Sequence, residues 1–227
     1  MSFTSLTIYG RTDGFGAQYQ ALMSGLAYAR YRNVKYIHTS LTSIAHNQDA
    51  KTMNEFTGFK SDDIIDDNTH IFVTIDIINY ELNPSKFYTQ SVLNELRTLY
   101  HSTPKPDRSS FDIAIHIRRG DVTKNNFTDR YTNDEFYVKL LKWFKPDKKI
   151  CIYSEGKPDN FAKFTAFPNV SLRLNYDLKQ TFHELVTVNT LVMAKSSLSY
   201  TAAILNPNTV YYIPFWHKKL DHWHILK

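Results

Sequence analysis

The chain has 227 residues, 42% hydrophobic and 15% aromatic, with a net charge of +5; that is enough for one large or two small domains with a real core, and it excludes a disordered chain. The single cysteine, Cys151, excludes a disulfide framework and a cysteine-built zinc site. The mild positive excess suits anionic ligands but lacks the long basic runs of a nucleic-acid binder, and no apolar run reaches about 18 residues, so no membrane span is expected.

Met1-Ser-Phe-Thr-Ser-Leu-Thr7 carries neither a charged n-region nor a long apolar stretch. It does not read as a signal peptide, and a soluble, cytoplasmic protein is expected. Leu6–Tyr9 reads as a short strand. Gly10-Arg-Thr-Asp13-Gly14-Phe-Gly16 follows, and it holds three of the chain's seven glycines. Such clustering marks a loop that bends sharply or approaches a ligand closely, with a plain tight turn as the commoner explanation. Residues 17–32 read as a helix with a small-residue stripe of Ala17, Ala21, Gly25 and Ala29. Val34–Ile37 is a second strand, and Ser43–His46 is a loop carrying an isolated histidine that suits either a plain surface role or general-base work. Met53–Phe59 reads as helix, His70–Ile75 as strand and Pro84–Tyr100 as helix, with proline in its first turn. The acidic run from Asp62 to Asp67 reads as a solvated loop, and no strand ends in Asp-x-Asp, so no metal ligands are assigned.

Residues 102–110, with two prolines and no apolar side chain, read as the linker between two domains, 1–101 and 111–227. Beyond the linker, strands at 111–117, 149–153, 170–174, 191–194 and 210–213 alternate with helices at 134–144, 160–167, 178–189 and 199–205, the first capped by Thr132 or Asn133. Five β units alternating with helices indicate an α/β, doubly wound, mostly parallel sheet. The tail Phe215–His224 reads as a docked terminal segment.

Chemistry concentrates at the end of the strand that reaches Ile117. It delivers His116, Arg118, Arg119, Gly120 and Asp121 where ligands bind in open α/β sheets. Two adjacent guanidiniums there suit a phosphate, because each presents a planar fork; a surface salt-bridge cluster with Asp121 is the alternative. Farther on, Ser196, Ser197 and Ser199 fall between a strand and a helix. Hydroxyls and free N–H groups at a helix start form a natural phosphate site, although simple capping would account for one of the three.

His116-Ile-Arg118-Arg119-Gly-Asp121 resembles the His-x-Arg-Arg-Gly-Asp motif of the GDP-fucose-dependent fucosyltransferase superfamily, which includes the α1,2-, α1,6- and protein O-fucosyltransferases. Asp13-Gly14-Phe-Gly16-Ala-Gln18 resembles that family's Gly-x-Gly-x-Gln loop, and Glu184 through Ser197 and Ser199 resembles its C-terminal motif. The resemblance implies a GT-B arrangement of two facing Rossmann-like domains: residues 1–101 on the acceptor side and 111–227 for the nucleotide sugar. It implies an inverting, metal-independent glycosyltransferase that moves fucose from GDP-fucose to a glycan hydroxyl with no cofactor beyond the donor. In that pattern Arg118, Arg119, Ser197 and Ser199 hold the diphosphate, His116 helps hold the nucleotide, and Glu184 meets the guanine. Gly14 and Gly16 belong to the glycine loop. Asp129, Asp13, Asp121 and His46, in that order, are the candidates for general base. Another GDP- or UDP-linked deoxysugar such as rhamnose, or a non-catalytic nucleotide- or glycan-binding protein on the same fold, are the alternatives.

Overall fold

The computed structural model describes residues 3–9, 12–46, 48–72, 78 and 82–226. The chain divides into two compact units, residues 1–105 with 216–221, and residues 106–215 with 222–227. The changeover at Lys105 and Pro106 falls within the Pro-rich stretch. Residues 216–221, expected with the second half, cluster instead with the first. Among the described residues no helix is long and apolar enough to cross a membrane.

The first unit holds a three-stranded parallel sheet in the order β2-β1-β3, with β1 at Ser5–Ile8, β2 at Lys35–Tyr36 and β3 at Thr69–Phe72. Residues 73–75 of the expected third strand, together with Gly10, Arg11 and Asn47, lie outside the described residues. Helix α1 runs Phe15–Arg32 and buries most of its surface. Its small-residue stripe has a specific cause at Gly25. A Cβ there would lie 2.6 Å from Ile8 and 2.9 Å from Tyr36, so any side chain would push the helix off the sheet. Helix α2, Ala50–Thr57, starts where the Asp49 side chain accepts from the Thr52 N–H at 2.7 Å. The helix expected over residues 84–100 is broken. A 3-10 turn at Pro84–Lys86 is followed by buried Phe87 and Tyr88, and α3, Gln90–His101, begins anew with Thr89 as cap. The local rule for proline was right; burial of the two aromatic rings set the break.

The second unit is a six-stranded sheet in the order β6-β5-β4-β7-β8-β9, parallel throughout. Its strands are β4 Ile113–His116, β5 Ile150–Ser154, β6 Val170–Leu174, β7 Thr190–Val192, β8 Thr209–Tyr212 and β9 His224–Ile225. Its helices are α4 Asp134–Trp143, α5 Ala162–Thr165, α6 Leu178–Thr187 and α7 Ser197–Leu205. Numbered from its own first strand, this order is 3-2-1-4-5-6, the doubly wound arrangement of dinucleotide-binding folds. β4 and β5 are buried along their whole length, as helices on both faces require, which is why each opens on a run of apolar residues. The core gathers Ile113, Ile115, Ile150, Ile152 and Val192 with Tyr137, Leu140 and Phe164 from the helices. Asn133 caps α4 through the Phe136 N–H at 2.8 Å. The short β9, in the tail, was not expected as a strand; it forms by pairing with β8.

Candidate functional site

In the second unit the strand order reverses between β4 and β7. Connections leave these two strands toward opposite faces, which opens a crevice at their carboxyl ends. β4 delivers His116 through Asp121 there, and β7 delivers Met193 through Ser197. Two motifs 78 residues apart therefore meet: Arg118 Nη1 donates to Ser196 Oγ at 3.3 Å. Ser196 is also the N-cap of α7, accepting from the Leu198 N–H at 3.2 Å. The start of α7 thus presents helix N–H groups beside a guanidinium, an arrangement that attracts anions.

Arg118 is held but not saturated. Nη2 donates to Asp121 Oδ2 at 2.7 Å, while the buried Nε has no partner among the described residues. His116 is 8% exposed, and its Nδ1 is likewise buried and unpartnered. Burial, with the Arg118 charge adding to it, lowers the His116 pKa to about 3, so the ring is neutral at pH 7. Unpaired buried polar atoms are costly, and two of the described ones fall at this strand end.

Several of the expected ligands are put to other use. Arg119 turns into the protein: Nη2 donates to Asp134 Oδ1 at 2.7 Å and to the Thr132 carbonyl at 2.9 Å, and its guanidinium lies 4.4 Å from the Tyr131 ring. It anchors the loop that carries Arg118. Ser199 is fully buried, and its hydroxyl closes the turn by accepting from the Ala194 N–H at 3.1 Å and donating to the Ala194 carbonyl at 3.2 Å. Ser197, half-buried, opens α7. The serine that meets Arg118 is Ser196, named in the sequence with Ser197 and Ser199 but not assigned to the diphosphate; its N-cap position before the helix was the available signal.

Glu184 departs furthest from expectation. Its carboxylate is 1% exposed, accepts from Gln180 Nε2 at 2.7 Å and from the Tyr153 hydroxyl, and pairs with Arg173. Burial pushes the Tyr153 phenol well above its ordinary pKa, so this proton stays on tyrosine. A carboxylate with three protein partners ties α6 to β5 and β6, and it offers a base no free edge. Asp129 is exposed, and its carbonyl accepts from Lys195 Nζ at 3.2 Å. Asp121 orients Arg118.

The remaining candidates belong to the first unit, where Asp13, Gly14 and His46 are brought together. Gln18 Nε2 donates to the Asp13 carbonyl at 2.5 Å and to the Ser43 carbonyl at 2.8 Å, and the Ala45 N–H reaches the Asp13 carbonyl at 3.1 Å. Gln18 thereby ties the glycine loop to the loop carrying His46. Gly14 is the N-cap of α1 at φ −65°, and a Cβ there would sit 3.6 Å from the His46 ring, so neither backbone nor space demands glycine. Gly16 is buried in the first turn of α1. A cavity of about 140 Å³ opens at the carboxyl ends of β1 and β2, lined by Ile8, Tyr9, Thr12, Gln18, Thr39 and Thr42.

No family model and no curated protein match the sequence. Among solved structures the chain is similar to the E. coli heptosyltransferase WaaC with ADP-2-deoxy-2-fluoro heptose, at 14% identity and a TM-score of 0.48, over 98% of this chain and 92% of that one. It is also similar to the Bradyrhizobium fucosyltransferase NodZ, at 12% identity and a TM-score of 0.45, over 89% and 93%. POFUT1 in complex with GDP is similar at 10% identity and a TM-score of 0.47, over 99% and 98%. At these identities, the chain's own residues must carry the chemistry.

Proposed function

We propose that the protein is a glycosyltransferase that binds a nucleoside diphosphate sugar, with GDP-fucose as the first choice, and passes the sugar to a glycan hydroxyl with inversion and without a metal ion. The observation that carries this reading is the meeting of Arg118 with the Ser196-capped start of α7 at the β4/β7 crevice, with Arg118 Nε and His116 Nδ1 buried and without partners among the described residues. The choice of fucose rests on the resemblance of His116–Asp121 to the fucosyltransferase motif.

The chemistry follows from what such a crevice does. As an acceptor oxygen bonds to the anomeric carbon, the bond from that carbon to the diphosphate oxygen breaks and the diphosphate leaves with the electron pair. Its growing charge is stabilised by a preorganised guanidinium and helix N–H groups, which act most strongly away from water. Arg118 takes this role. Asp121 and Ser196 hold its fork, and Arg119 holds its loop. Neutral His116 adds a hydrogen-bonding group without adding charge. The acceptor's proton goes to a base, for which Asp129, Asp13 and His46 are the candidates. With Glu184 committed to Arg173 and Tyr153, base selection falls to other groups, and GDP and UDP must be compared directly.

The test is a thermal shift with GDP, UDP and pyrophosphate, followed by nucleotide release from GDP-fucose with and without a glycan acceptor. A nucleotide at about 100 times its dissociation constant adds roughly 2.7 kcal/mol of stability. Stabilisation by neither nucleotide, together with no release, would overturn the reading.

A further inference from the structure

We infer that Glu155 holds the ribose of the nucleotide through its 2′- and 3′-hydroxyls, and so makes the site selective for ribonucleotides; the inference rests on the nucleoside diphosphate site proposed at Arg118. Glu155 directly follows β5, the neighbour of β4 on the side away from the crevice. Ser154, the last residue of β5, donates its hydroxyl to the Ile117 carbonyl at 2.6 Å, which stitches the end of β5 to the start of the arginine loop. Gly120, in that loop, sits at φ +79°, and a Cβ there would overlap Glu155 Oε2. The carboxylate therefore lies against the loop backbone, two residues from Arg118.

Its backbone is fixed from the other side as well. The Gly156 N–H donates to Asn175 Oδ1 at 2.9 Å, Asn175 Nδ2 donates to the Gly156 carbonyl at 2.9 Å, and the Asn175 N–H donates to the Ser154 carbonyl at 2.9 Å. Yet Glu155 is exposed and, among the described residues, makes no hydrogen bond or ion pair. The two nearby guanidiniums are already paired with other acids, Arg118 with Asp121 and Arg119 with Asp134. What remains is a rigidly placed, unpaired acceptor at the carboxyl edge of the sheet.

The chemistry of that acceptor picks its partner. A carboxylate repels phosphate and accepts from hydroxyls, and two adjacent hydroxyls match its two oxygens. With the diphosphate at Arg118 and α7, the nucleoside extends along the carboxyl edge. In dinucleotide-binding doubly wound sheets an acid beyond the first strand and helix accepts from the ribose. Here β4 and α4 are that strand and helix, and Glu155 lies beyond them at the end of β5.

The experiment uses whichever of GDP and UDP stabilises wild type more, titrated by calorimetry beside its 2′,3′-dideoxy form. Charge-assisted hydrogen bonds of this kind predict that wild type prefers the ribonucleotide on the order of tenfold or more. Glu155→Ala should bind both at the dideoxy level, and Glu155→Gln should recover part of the preference. Arg118→Ala should weaken both equally. A preference that survives in Glu155→Ala, or a wild type that binds both forms alike, overturns the role of Glu155 and leaves the diphosphate site standing. A wild type that binds neither nucleotide overturns both.

Discussion

Replacing Arg118 by lysine keeps the charge and removes the fork. In the wild type one guanidinium nitrogen reaches Ser196 at 3.3 Å, another reaches Asp121 at 2.7 Å, and the buried Nε has no partner among the described residues. A lysine ammonium is a point charge on a flexible stem and cannot span the three directions. It can stay paired with Asp121, which draws it out of the crevice. A hydrogen bond to a charged group is worth about 1.5–3 kcal/mol, so losing one from the transition state lowers turnover roughly tenfold to more than a hundredfold. The assay is nucleotide release at saturating acceptor, read beside calorimetric binding of the nucleoside diphosphate. If Arg118 acts mainly on the developing charge, kcat falls more than binding weakens. A urea melt gives the control, because Arg118 also steadies its loop. A folded Arg118→Lys protein with wild-type turnover would refute the assignment of Arg118 to the leaving group.

Glu184→Gln leaves Arg173 without its buried partner and should cost about 3 kcal/mol in a denaturant titration, near the lower end for buried pairs because Arg173 is partly exposed. The ratio of GDP to UDP affinity should not change; a collapse of that ratio would return Glu184 to base recognition. His116 makes stability depend on pH. Its folded pKa is about 3 against 6.5 unfolded, so its contribution is complete above 6.5 and is lost as pH falls toward 3. Between pH 7 and 5 wild type should lose up to about 2 kcal/mol more than His116→Gln; equal losses would mean that the ring charges freely. Turnover should persist in EDTA, and a loss restored by manganese or magnesium would show that a metal site had been overlooked.

The sheet of the second unit was legible because parallel strands buried on both faces leave apolar runs, as at Ile113–Ile115 and Ile150–Tyr153. The place of both candidate motifs at strand ends was legible as well. What the sequence did not reveal is direction. Ser196, Ser197 and Ser199 look alike in a string, but the cap geometry turns one toward Arg118 and another into the turn. Arg118 and Arg119 are adjacent, yet the chain turns their guanidiniums to different partners. Glu184 carried a readable warning: it sits among Thr181, Phe182 and Leu185 on the buried part of α6, where an acid needs protein partners. β9 left no local signal, because two residues become a strand only through their neighbour.

Residues 216–221 also bear on how the protein is made. His217 and Leu220 are buried, Gln20 Nε2 lies 3.4 Å from His217 Nδ1, and the Asp221 N–H donates to Ser85 Oγ at 2.9 Å. The first unit therefore stays open after residue 105 has left the ribosome. It must wait while the whole second unit is synthesised, holding the α1 surface that later meets His217. Domains usually fold in the order of their synthesis. Here the unit that begins first is closed only after residues 106–215 have been made, and β9 is added to the other sheet a few residues later. A fragment ending at residue 105 would emerge with an unfilled gap in its core, and a nascent chain stalled before residue 216 would leave both units incomplete at once.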